Sequence, residues 1–170
     1  AGQGGITRVE AWLTQLGIDV WHGRPVHPQT QGKIERLHCT LAIELTNTAV
    51  VLAAQGDLRG AQAMLEESLV IKRETGNRSS VAFSLSQLGA VASAQGDLAA
   101  ARRHFEEALH IREALDQKLR VAESRLDLAG LRLDEGKPAE AEPVAREVAA
   151  LFRAEKMGDL EGSAYLLLAR

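Results

Sequence analysis

At 170 residues, with 45% hydrophobic and 25% charged side chains, the chain has the composition of a folded domain with a real core, which excludes a disordered or fibrous chain. The net charge of −3 divides into a surplus of one basic group in residues 1–40 (Arg8, Arg24, Lys33 and Arg36 against Glu10, Asp19 and Glu35) and −4 elsewhere, so no part offers the basic surface on which non-specific nucleic-acid binding depends. No uninterrupted apolar run reaches the roughly 20 residues of a membrane span, so no membrane partner is expected, and the single Cys39, read as a partly buried thiol, excludes an internal disulfide framework and fits a reducing, cytoplasmic compartment.

The chain starts AlaGlyGlnGlyGly, without an initiator Met or the order of a signal peptide, which reads as the start of a fragment. Ile6, Val9, Trp12, Leu13 and Leu16 recur at helical spacing, predicting an amphipathic helix over 6–16 that Gly17 ends. IleAspVal at 18–20 reads as a brief strand, and the Gly- and Pro-rich 22–32 as a loop, with a helix resuming near Lys33. His22, His27, His38 and Cys39 match no compact zinc spacing, so neither a metal nor any other cofactor is expected.

The motifs LeuGlyIle at 16–18, HisGlyArgPro at 22–25, HisProGlnThrGlnGlyLys at 27–33 and GluArgLeuHis at 35–38 resemble the closing part of the integrase core of insertion-sequence transposases. That resemblance implies two divalent metals held by three carboxylates for phosphodiester chemistry, the last of them falling on Glu35. Nothing upstream of residue 16 supplies the other two. Glu35 is therefore expected to be inactive, an exposed helix carboxylate beside Arg36 and Cys39, and no catalytic residue is assigned.

From about Gln31 to Ala54 no strong breaker interrupts the pattern, so the helix of the integrase-like segment continues without a stop through residue 40, with Leu37, Leu41, Leu45 and Thr48 along one face. Beyond it helices are predicted over 58–75, 80–95, 98–115, 119–135, 138–155 and 160–170. Pro138 suits a helix start, and Pro143 in the second turn removes one backbone hydrogen bond, predicting a slight bend.

These helices belong to a repeat. GlyAspLeuArgGlyAla at 56–61, GlyAspLeuAlaAlaAla at 96–101 and GlyLysProAlaGluAla at 136–141 are spaced by 40 residues. Ala61, Ala101 and Ala141 coincide, as do Leu69, Leu109 and Ala149, then Ile71, Ile111 and Leu151, and in the first half Ala49, Gly89, Ala129 and Ala169. Each glycine ends one helix at low cost in the left-handed region and lets the chain reverse into the next. The small residues at aligned sites let the two helices approach closely.

With LeuGly at 88–89, GlyAspLeu at 96–98, Ala101, Phe105 and AlaLeu at 108–109, the sequence resembles the tetratricopeptide family, and the 40-residue unit and GluAlaGluProVal at 140–144 are similar to the extended repeats of kinesin light chains and bacterial regulators. The resemblance implies an all-α, right-handed superhelical solenoid over 41–170, in units 41–79, 80–118, 119–158 and a half unit 159–170, after a transposase-like segment at 1–40. It implies a scaffold for protein–protein interaction, not an enzyme, whose first helices line a concave groove for a peptide. By alignment the groove residues are Thr46, Asn47 and Val50, then Ser86, Gln87 and Ala90, then Leu126, Asp127 and Gly130.

Among these, Asn47, Gln87 and Asp127 form a series of amides and a carboxylate able to bond an extended backbone. The pairs Glu66–Glu67, Arg102–Arg103 and Glu106–Glu107 are expected to face solvent on second helices. The last helix has no following partner, so Tyr165, Leu166, Leu167 and Leu168 are expected to be uncovered and to support a homo-oligomer. No phosphate loop, HisGluXaaXaaHis or nucleophile elbow occurs. The alternative reading is an inactive fragment of a DNA-integrating enzyme.

Overall fold

The computed structural model describes residues 28–169 together with Gln15. Seven helices follow one another: α1 (Pro28–Ala54), α2 (Leu58–Glu74), α3 (Arg78–Ala94), α4 (Leu98–Ala114), α5 (Lys118–Asp134), α6 (Pro138–Ala154) and α7 (Gly158–Leu168), with no strand among the described residues. Each helix lies against its neighbours in sequence, with lighter contacts between α3 and α5 and between α5 and α7, as an all-helical repeat solenoid requires. The expected helix over 6–16 and strand at 18–20 lie outside the described residues.

Residues 28–32, expected to belong to a loop over 22–32, are helical, because α1 already begins at Pro28, and the rest of that loop lies outside the described residues. Proline is tolerated in a first turn, where the missing N–H would have no intrahelical partner in any case. From there α1 crosses position 40 without interruption. Its outer surface is more open than expected: Leu37 and Thr48 are exposed, Leu41 is half-buried, and Ala42, Leu45 and Ala49 make the contact with α2. Cys39 is exposed, not partly buried, since α2 covers only the later turns of α1. The stretch Glu35–Ala54 is also long and apolar enough to cross a membrane by length and composition, which a search for uninterrupted apolar runs overlooks.

Helices α2 to α6 have 17 residues each, and three residues join each to the next. The middle joint residue has positive φ every time: Gly56 (85°), Gly76 (70°), Gly96 (83°), Asp116 (51°), Gly136 (76°) and Lys156 (58°). The 40-residue unit is thus two half-units of similar construction. After the left-handed residue, the N–H groups of Asp57, Asp97, Gln117, Lys137 and Met157 bond the carbonyls of Leu52, Ala92, Arg112, Arg132 and Phe152 at 2.8–3.0 Å, which closes the end of the preceding helix. The same joint residue caps the next helix in the first three joints, where the side chains of Asp57, Asn77 and Asp97 accept from the N–H of Gly60, Ser80 and Ala100. Gln117, Lys137 and Met157 make no such bond.

Between the joints, apolar residues at helical spacing meet in the seams. Ala49, Leu65, Leu85, Leu88 and Ala108 join α1 to α4, Ala92, Ala101, Phe105 and Leu131 continue through α5, and Ala122, Val148 and Phe152 hold α5 to α6. Fully burying a large apolar side chain such as Leu or Phe contributes about 1.5–3 kcal/mol. The aligned small residues Ala49, Gly89 and Ala129 are all buried in these seams, and only Ala169 is exposed.

Gly89 is the tightest of them: a β-carbon there would lie 2.5 Å from Cε1 of Phe105, whose ring is itself buried against Ala101 and Leu131. Gly89→Ala should therefore destabilise the protein by about 1–2 kcal/mol, overpacking outweighing the gain in helix propensity. Thermal unfolding measures it, and adding Phe105→Leu should recover part of the loss; a more stable Gly89→Ala variant would refute the close contact.

Candidate functional site

The first helices of the units, α1, α3, α5 and α7, present the residues singled out in the sequence, and most of these gather into two hollows. One, of about 260 Å³, is lined by Thr46 and Asn47 from α1, Lys72 at the end of α2, Phe83 in α3, Arg112 at the end of α4, and Arg120 in α5. The other, of about 530 Å³, brings together Ala90, Leu126, Asp127 and Gly130 over Phe105 and Leu131, with Ser163 and Leu167 of α7 at its edge. Val50 stands exposed, and Gln87 is half-buried.

Two groove residues are placed differently from the expectation. Thr46 and Ser86 are buried in helix seams and are not displayed to solvent. The reason for Thr46 is a polar network: its hydroxyl donates to the Ala42 carbonyl at 2.8 Å, meets Ser68 Oγ at 2.9 Å, and accepts from Lys72 Nζ at 2.8 Å. Ser86, one unit later, is buried without a partner for Oγ.

The network around Lys72 recurs 40 residues on. Lys72 Nζ also donates to Ser84 Oγ at 2.7 Å and lies 5.8 Å from the centre of the Phe83 ring. Arg112 Nη1 donates to Ser124 Oγ at 2.6 Å and to the Arg120 carbonyl at 3.2 Å. In both cases a cation at the end of a second helix reaches a serine on the first helix of the following unit. Burial pulls both cations below their ordinary pKa, because the charged form loses water. In the third unit Phe152 takes this position, fully buried in an apolar cluster. The spacing of Lys72 with Arg112 and of Ser84 with Ser124 was readable in the sequence, but attention to first helices alone passes over it.

Asp127 is half-buried, and burial pushes its carboxyl up to about 6, opposed by the attraction of Arg112 and reinforced by Glu123. A third hollow, of about 560 Å³, opens beside Asp116, Val121, Arg125, Glu147 and Leu151, between α4, α5 and α6, and contains none of the predicted residues.

Elsewhere Glu66, Arg103, Glu106 and Glu107 face solvent as expected, or nearly so. Glu67 and Arg102 are half-buried, Arg102 being turned toward Glu135 in the next joint. Such surface pairs contribute little, on the order of 1 kcal/mol at most. Glu35 is exposed and His38 half-buried, His22 and His27 lie outside the described residues, and no group of three or more His, Cys, Asp or Glu able to hold a metal occurs among the described residues. At the far end Tyr165 and Leu166 are exposed, Leu166 at 72%. Leu167 and Leu168, by contrast, are half-buried beside Leu133, Pro138 and Ala141, so the uncovered patch is smaller than the four residues expected.

The Asp127 carboxyl gives the groove a pH dependence of known sign. The folded chain holds its proton more tightly than the unfolded one, so stability falls as pH rises from about 4 to about 6, and the penalty is fully present above that. Asp127→Asn should stabilise the protein by about 1–3 kcal/mol at pH 7 and by much less at pH 4. Denaturant unfolding at the two pH values checks this; an equal effect at both would show that burial is not the cause.

The sequence profile of the tetratricopeptide repeat family matches residues 40–114 and again 81–154, the two matches overlapping by about one unit. Tetratricopeptide repeats generally mediate protein–protein interactions and are generally not catalytic. Helices α2 to α6, the glycine-marked reversals and the alanines in the seams between them lie within these matches, and the chain belongs to the tetratricopeptide repeat family.

Proposed function

We propose that the chain is a non-catalytic scaffold that receives a peptide or protein segment in the groove lined by α1, α3, α5 and α7. The observation that carries this reading is the pair of hollows along those helices, which collect Asn47 at one end and Ala90, Leu126, Asp127 and Gly130 at the other. An extended segment laid across them meets the Asn47 amide, the half-buried Gln87 amide and the Asp127 carboxyl in order, on a surface already formed by packed helices. We place this activity in the cytoplasm, on the ground of the single cysteine. The alternative, an inactive remnant of a DNA-integrating enzyme, rests on the motif of residues 16–38 alone.

The test is capture of partners from a native lysate by the chain and by the triple variant Asn47→Ala, Gln87→Ala, Asp127→Ala, matched for folding by circular dichroism. A partner retained by the first and lost from the second is the expected result. Equal capture by both would remove the groove from consideration. The exposed Tyr165 and Leu166 of α7 support a further proposal, self-association through these two residues. Light scattering should show a mass that rises with concentration and returns to that of a monomer in Leu166→Glu; a monomer at all concentrations would exclude it.

A further inference from the structure

The hollow of about 260 Å³ contains more positive charge than its surroundings neutralise. Lys72 and Arg112 are only 7% and 4% exposed, yet among the described residues neither forms an ion pair, and their partners are hydroxyls and a carbonyl. The exposed Arg120 also lines the hollow and has one carboxylate partner, Glu123, at 2.8 Å. No carboxylate is among the described residues lining it. Glu123 and Asp127 attract Arg112 from outside the lining, yet three cations face the hollow with no carboxylate on its wall.

The residues lining the hollow also hold unused donors. Lys72 has three N–H donors, of which two are used, and Arg112 keeps Nη2 and Nε after Nη1 is bonded. Asn47 offers an amide at the rim, and the Gln117 amide, bonded to Ser79 Oγ at 3.1 Å, closes the side toward α5. Buried cations with no direct ion-pair partner are costly, so a geometry that holds two of them beside an open hollow is one that an anion would stabilise. A lone carboxylate brings one charge and two oxygens. A phosphoryl group brings nearly two charges and three strong acceptor oxygens, so it answers three cations and several unused donors more fully than a carboxylate does.

We propose that this hollow is a binding site for a phosphoryl dianion, held by Lys72, Arg112 and Arg120 with Asn47 at the rim. The proposal deepens the groove reading, since a phosphorylated segment lying in the groove would be anchored at this end of it. Its chemistry is shared by inorganic phosphate and by a phosphorylated side chain, and the two are separable by experiment.

The experiment is an amide-resolved NMR titration of the full chain with inorganic phosphate, with N-acetyl-phosphoserine amide, and with acetate. Phosphate and the phosphoserine compound should shift resonances in residues 79–83 and 117–120 saturably, with acetate at least tenfold weaker. Tighter binding of the phosphoserine compound would point to a phosphorylated partner, and tighter binding of inorganic phosphate to a free anion. Lys72→Met should abolish the shifts. Because that variant disturbs a buried network, Asn47→Asp serves beside it: the residue is exposed, the change is isosteric, and the added charge should weaken phosphate binding at least tenfold with the fold intact. No saturable shift in the wild-type chain, equal binding of acetate, or undiminished binding in Asn47→Asp would overturn the proposal. None of these readouts needs the groove partner, so they fail or succeed independently of the capture experiment.

Discussion

The structure depends on a reversal that must be made in three residues every time a helix of 17 residues ends. A left-handed residue, closed by backbone N–H groups that bond back into the last turn, brings consecutive helices side by side, and no longer connection is used anywhere between α1 and α7. The regularity of the packing comes from the uniform length this imposes. Equal helices with equal joints bring the same positions into the same seams, so that one small residue per unit, Ala49, Gly89 or Ala129, serves each close approach, and side chains such as Leu65, Leu85 and Phe105 fill what remains.

Regular spacing also places polar chemistry between units. Lys72 and Arg112 bridge from one unit to the first helix of the next, fastening the seam through serines while keeping their charge near the groove. Where Phe152 takes the same position the seam is sealed by apolar packing, and the charge disappears from that end. The groove is accordingly graded: cationic near α1 and α3, and carrying Asp127, a carboxyl that burial makes reluctant to ionise, near α5 and α7.

The repeat and the helix pairs were legible because glycine and alanine advertise their roles: Gly56, Gly96 and Gly136 sit where a residue without a β-carbon is most comfortable. The half-unit was hidden because the alternate reversal is Gly76 once and then Asp116 and Lys156, residues whose type does not announce positive φ. The burial of Thr46 was hidden for another reason. Its hydroxyl is satisfied by Ser68 and Lys72, 22 and 26 residues away, and a partner at that distance is visible only once the helices are placed. The exposure of Cys39 likewise reflects what α2 fails to cover, a matter of helix ends and not of local pattern.

The quality of the joints is not even along the chain. The first three combine a glycine at the left-handed position with an Asp or Asn that bonds the next helix, whereas those at Asp116, Gly136 and Lys156 precede helices without a side-chain cap. In a linear array each unit is held by its own stability and by its neighbours, and an uncapped helix start forgoes about 1 kcal/mol. The starts of α5, α6 and α7 are therefore held less firmly than those of α2, α3 and α4. The cationic hollow takes Lys72, Phe83 and Arg112 from the capped helices, whereas Asp127 and Gly130 stand on α5, whose start has no side-chain cap.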